Sequence, residues 1–136
     1  MYSLNMYKLA TMGLLLVLSW NSHGQTPSES RCEISIDGQV LICADITAQV
    51  PEEHSRFNPD HVCQFVYDVY QRVLGANEHK TFPGNCNKLK VVGHCLPASH
   101  DHFLLNYQAN TFDHSSASKD CAEQWQGTYT PQQSPK

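Results

Sequence analysis

The chain has 136 residues, with 9 Lys+Arg against 13 Asp+Glu, a formal charge of -4 and only 16% charged residues. That length fits a single domain, and so few basic residues exclude a general nucleic-acid binder, which needs clustered Lys and Arg to neutralise phosphate. The only long apolar run lies before residue 21, so nothing in the rest of the chain is suited to stable membrane insertion as a spanning helix.

The N-terminus reads as an address. Lys8 is the only charged residue before Glu29, and it precedes the apolar run Leu9–Leu18. That run is too short to span a bilayer but suits a signal-peptide core. Ser22-His23-Gly24 sets small residues at the third and first positions before a cut at Gln25, so residues 1–24 are expected to be a signal peptide. Cleavage there shortens the 136-residue chain by 24 to 112 and removes one lysine, taking the charge from -4 to -5. Residues 25–31 have the composition of a flexible N-terminal segment. In an exported protein the six cysteines, Cys32, Cys43, Cys63, Cys86, Cys95 and Cys121, read as three disulfides.

Cys32 to Ile36 alternates, Asp37-Gly38 is a two-residue hairpin signal, and Gln39 to Ile46 returns as a second strand. A two-residue turn pairs Ile36 with Gln39, and the same register sets Cys32 opposite Cys43. Such partners lie about 5.5 Å apart at Cα, within disulfide reach, which makes Cys32–Cys43 a candidate pair and leaves the other four cysteines unassigned. A polar loop over 47–57 leads to Asn58-Pro59-Asp60, a good helix start, after which Val62, Phe65, Val66, Val69 and Val73 share a helical face and Gly75 stops the helix. Thr81 to Asn85 reads as a turn and Leu89 to Cys95 as a strand. Phe103, Leu105 and Tyr107 give another strand. Ser115 or Ser116 caps a short helix carrying Ala117, Cys121 and Trp125, stopped by Gly127, with room for a last edge strand through Thr130. The expected fold class is α+β: a small antiparallel sheet with two helices packed on one face, disulfide-stapled, in one domain over 32–130 with a disordered tail at 131–136.

Three features resemble small secreted cysteine-rich effectors of plant-pathogenic fungi, specifically the killer-toxin-like group with a ferredoxin-like sandwich. They are a cysteine in the first helix, Phe82-Pro83-Gly84-Asn85-Cys86 ahead of Leu89 to Cys95, and Asp120-Cys121-Ala122-Glu123 in the second helix. The third strand, Leu105-Asn106-Tyr107, lacks the cysteines usual in that group. A weaker resemblance, carried by Asp101 to Asn106 and by His114 to Ser118, is to the guanyl-specific ribonuclease fold reused by ribonuclease-like effectors. There His102 stands where that family has an arginine, and no Glu-Trp-Pro strand is present. The first resemblance implies an effector or virulence protein that binds a host protein and, where a host immune receptor detects it, an avirulence determinant. It would be secreted and act outside host cells or after entering them. The other function classes are a ribonuclease-like protein, active or degenerate, and a membrane-active killer-type toxin, which the acidic charge disfavours.

No catalytic constellation assembles from the residues alone. His79, His94, His102 and His114 could supply proton-transfer pairs, with Lys80, Lys88 or Lys90 as cation, but nothing in their spacing fixes a geometry. His100 and His102 alternate on one strand as metal ligands can, yet solvated histidines account for them, so no metal and no cofactor are expected. Cys63 is two helical positions from His61, a spacing that does not make the two face each other, so a structural disulfide is expected rather than a nucleophile. Intact mass checks this framework: the secreted product should start at Gln25 and gain the mass of six hydrogens on reduction. Free thiols before reduction would refute three disulfides.

Overall fold

The Asp37-Gly38 turn sets the first strand pair. Asp37 (φ 48°) and Gly38 (φ 82°) are both left-handed, as a two-residue hairpin turn requires, and Asn77 locks the turn through hydrogen bonds in both directions with Asp37. The computed structural model describes residues 29–47, 58–99 and 102–133. In chain order its elements are β1 (Glu29–Ile36), β2 (Gln39–Thr47), α1 (Pro59–Leu74), β3 (Glu78–Pro83), β4 (Val91–Leu96), β5 (Phe103–Gln108), α2 (His114–Trp125) and β6 (Thr128–Pro131). The strands form one antiparallel sheet in the order β3-β1-β2-β5-β4-β6. Both helices pack on the same face, as the α+β reading expects: α1 covers β1 and β3, and α2 covers β4 and β6.

Helix α1 is built as its sequence dictates. The Asn58 side chain accepts from the Asp60 amide, Pro59 occupies the first turn, and Gly75 ends the helix at φ 75°. Its buried stripe is Val62, Cys63, Val66, Val69 and Tyr70. Phe65 and Val73, expected on that stripe, are 45% and 42% exposed. The inward face is turned toward Cys63 and Tyr70 because the cysteine is bonded to the sheet. Helix α2 is capped by Asp113, ahead of the expected Ser115 or Ser116, and Ser116 completes the reciprocal bond of a capping box.

The disulfides are Cys32–Cys63, Cys43–Cys86 and Cys95–Cys121, and every cysteine is bonded. The Cys32–Cys43 pairing is therefore corrected. The register does start with Ile36 opposite Gln39, but a β-bulge at Leu41 of β2, opposite Ile34 and Ser35, takes up one residue, so that Cys32 faces Ala44 and Glu33 faces Cys43. A one-residue slip sends a side chain to the other face of a sheet. Cys32 thus points at α1 and Cys43 away from both helices.

Four features of the sheet also differ from expectation. Residues 78–83, read in part as a turn, form edge strand β3 against β1. Proline is tolerated there because an edge strand leaves one row of amides unpaired. The sheet begins at Glu29, inside the segment expected to be flexible, and ends at Pro131, inside the expected tail, where the following Gln132 amide donates to the Val92 carbonyl. Leu89 and Lys90 precede β4 rather than opening it. The signal peptide, most of the 47–57 loop and His100 lie outside the described residues.

Restoring β3 exposes an internal repeat that the sequence conceals. β1-β2-α1-β3 and β4-β5-α2-β6 have the same order and the same pairing, a hairpin followed by a helix and a strand that returns beside the first. Cys32 in β1 is bonded to α1, and Cys95 in β4 is bonded to α2. Ala44 lies opposite Cys32, Leu105 lies opposite Cys95, and Ala44 and Leu105 lie opposite each other. A pseudo-twofold axis therefore passes through the central β2–β5 pair.

The core fills the layer between sheet and helices, with Ile34, Ile42, Val66, Leu105 and Tyr107 fully enclosed. In the second repeat the ring of Tyr129 lies on Gly93, where an added Cβ would fall 2.2 Å from the tyrosine oxygen. Gly93→Ala should therefore destabilise the fold by about 1–3 kcal/mol, the usual cost of overpacking. The urea midpoint of the oxidised protein should fall with little change in slope. An unchanged midpoint would show that Tyr129 yields freely.

Candidate binding face

Since Cys32 and Cys95 point at the helices, strand alternation turns Arg31, Glu33, Cys43, Asp45, His94 and Asn106 to the opposite, helix-free face. An antiparallel sheet can present such a polar face to water. Here it is crossed by the chain. β3 and β4 are four strand positions apart in the sheet, about 19 Å at ~4.8 Å per step. Residues 84–90 join them, with an extended reach of about 27 Å. A connection this short runs over the face as a strap.

The strap is fixed from below. Cys86 is bonded to Cys43, and the Cys86 amide donates to Asp45 Oδ1 at 2.7 Å. The Lys88 ammonium is paired with Asp45 Oδ2 and donates to Asn106 Oδ1 at 2.9 Å. Asn106 is fully buried. Its Nδ2 donates to the Cys43 carbonyl at 2.8 Å and to Asp45 Oδ2 at 3.0 Å, which fixes the amide orientation and leaves Oδ1 as acceptor. His94 Nδ1, 2.6 Å from that oxygen, must then carry a proton, while Nε2 lies 2.5 Å from the Gln132 side-chain oxygen. At the near end, Arg31 donates to the Pro83 carbonyl, pairs with Glu33 at 2.9 Å and stacks over Phe82.

The strap divides the face. On one side Arg31, Glu33, Val40, Cys43, Asn85, Asn87, Lys90 and Gln108 line a hollow of about 380 Å³. On the other, a hollow of about 410 Å³ runs from Lys88 and Leu89 past Val92 to His114 and Gln132. Leu89, 90% exposed, lines the second hollow.

A second polar cluster lies between the sheet and the helices. Tyr70 of α1 and Tyr107 of β5 both donate to Asp120 Oδ2, at 2.6 and 2.8 Å, and the Trp125 indole donates to the Tyr70 oxygen at 2.9 Å. Burial pushes the Asp120 carboxyl above its ordinary range, although the two hydroxyls favour its ionised form. Burial, with the nearby carboxylate, likewise raises both tyrosines. This cluster went unpredicted, but it leaves a trace in the sequence: Asp120 lies beside Cys121, within the apolar stripe Ala117, Cys121 and Trp125.

Among the described residues the histidines do not converge on one centre. His79 packs on Tyr67 at 4.5 Å, His94 belongs to the strap network, and His114 Nδ1 meets the Tyr129 oxygen at 3.0 Å. The His102 carbonyl accepts from Thr47. Lys80 lies 3.4 Å from Glu78. Cys63 is a disulfide sulfur, so it offers no thiol nucleophile. Asn106, in the stretch that resembles the ribonuclease strand, is an anchor of the strap. Among the described residues no three His, Cys, Asp or Glu side chains are grouped to hold a metal ion, and no helix is long and apolar enough to cross a membrane.

Fold and site together define a small disulfide-stapled α+β protein with a strapped sheet face. No family model, curated protein or solved structure matches the chain.

The Asp120 cluster gives a pH dependence of definite sign. A carboxyl whose folded-state pKa is raised binds its proton more tightly in the native chain than in the unfolded one. Its contribution therefore falls as pH rises from the ordinary carboxylate value through the raised one, and stays at the lower level above it. Urea unfolding of wild type and Asp120→Asn across that window should show the stability difference shifting in the variant's favour as pH rises. A pH-independent difference would refute the shifted carboxyl. Asp120→Ala, which leaves two buried hydroxyls without their acceptor, should cost about 1–3 kcal/mol.

Proposed function

We propose that the protein is a secreted effector of a plant-pathogenic fungus, of the killer-toxin-like kind, that acts by binding a host protein. Where a host immune receptor detects it, it is also an avirulence determinant. Three disulfides fit the oxidising compartment in which an exported protein matures, and the signal-type N-terminus supplies the route. The observation that carries a binding role is the use made of polar groups on the helix-free face. Of the groups there best suited to proton transfer or charge stabilisation, Asp45 and Asn106 spend hydrogen bonds on holding the strap, and both ring nitrogens of His94 are taken up by Asn106 and Gln132. General acid-base catalysis needs a group with a lone pair or proton free for substrate. A scaffold that fixes a surface loop serves recognition instead.

Oxidised, tagged protein is expected to retain specific proteins from plant tissue extract and to leave total RNA intact. Cleavage of RNA that is lost in His114→Ala would overturn the binding reading in favour of a ribonuclease.

A further inference from the structure

We infer that the strap and the hollow between it and the β1–β2 hairpin form a recognition site for an acidic, partly apolar peptide segment of a partner protein. This inference rests on the binding role proposed above. Most polar groups beneath the strap are paired, whereas those at the rim of the hollow are not. Lys90 has no acidic group within ion-pair distance and its ammonium no hydrogen-bond partner among the described residues. The side-chain amides of Asn85 and Gln108, and Nδ2 of Asn87, also have no partner there, Asn87 using only its oxygen to accept from the Leu89 amide. All four residues line the same hollow of about 380 Å³, within the range of small-ligand sites.

The charges at the hollow select its occupant. Arg31 and Glu33 neutralise each other at 2.9 Å, so Lys90 leaves the hollow with one uncompensated positive charge in a protein that is acidic overall. A carboxylate is the group that answers it, and side-chain amides beside it suit the N–H and C=O groups of an extended peptide. The crest of the strap, next to Lys90, adds an apolar contact for a segment that extends over the strap, since Leu89 is 90% exposed and lines the hollow on its other side. Its backbone is held by the Cys43–Cys86 bond, by Asp45 and by the Asn87 side chain. A side chain presented on a fixed loop loses little further entropy on binding, which is what makes such residues effective anchors.

The test uses the oxidised full mature chain as bait for a random dodecapeptide library displayed on phage. Selected peptides should be enriched in Asp or Glu next to an aliphatic or aromatic residue, bind more weakly as salt rises, and shift the amide resonances of residues 85–90 and 108. Lys90→Glu and Leu89→Asp should each weaken binding at least about tenfold. Lys119→Glu, the same charge change on an exposed position of α2, should change it less than about twofold. Disulfide mass and circular dichroism verify that each variant is folded. The site is refuted if no peptide is selected, if the peptides lack acidic residues, or if Lys90→Glu and Lys119→Glu weaken binding equally. Capture of the same plant proteins by wild type, Lys90→Glu and Leu89→Asp would sink this site while leaving the binding role intact. Failure of the wild type to capture any would sink the binding role itself.

Discussion

Everything on the helix-free face depends on how residues 84–90 cross it. Two ββαβ repeats joined through β2 and β5 leave the end of β3 at one edge of the sheet and the start of β4 near the other. With so short a connection the chain must lie across the sheet, and its backbone must be satisfied by what lies beneath. Asp45 and Asn106 do that from the two central strands, and Cys43 ties the strap covalently at the same level, directly opposite Asn106. The polar residues of this face are therefore consequences of topology before they are anything else. A buried asparagine with four partners is costly to lose and tolerable only because the partners are in place.

The pseudo-twofold relation explains why the disulfides fall into two kinds. Cys32–Cys63 and Cys95–Cys121 occupy equivalent places, each fastening a helix to the first strand of its own repeat. Cys43–Cys86 has no counterpart because only one connection joins the repeats. In the chain-entropy view, loops of these lengths make each bond worth roughly 3.5–4 kcal/mol. That is a large share of the stability of a domain this small, which buries a modest fraction of its surface. The two helices are held to the sheet independently, and between them stands the Asp120 cluster, where α1, β5 and α2 meet at one carboxylate oxygen.

What could be read from the residues was local. The Asp37-Gly38 turn, the capping of α1 by Asn58, and the alternation of Phe103, Leu105 and Tyr107 each follow from a few neighbouring side chains, and each stands as expected. The bulge was not legible, because nothing in Gln39 to Ile46 marks Leu41 as the residue left unpaired opposite Ile34 and Ser35. That one residue puts Cys32 and Cys43 on opposite faces and so rules out the pairing expected between them. Strand β3 was obscured by Pro83-Gly84, which reads as a turn unless the strand is known to lie at an edge. Without β3 the first repeat lacks its last strand, so the repeat is hidden in the sequence as well. The strap network drew on residues as distant as Asp45 and Asn106, whose meeting is a product of sheet order and not of spacing.

The same contrast bears on how such a protein can recognise anything. Asn106 and Asp120 mark two kinds of polar burial: one fixes a loop on an open face, the other fixes the two helices against the sheet. Fixing a loop has an entropic cost that folding meets once, so the loop does not meet it again on binding. A hydrophobic core of this size could not hold a seven-residue strap with an apolar crest facing water unaided. The disulfide, the Lys88–Asp45 pair and the buried amide together hold it. Their arrangement makes physical sense if the conformation of the strap, rather than any single side chain beneath it, is what the fold maintains.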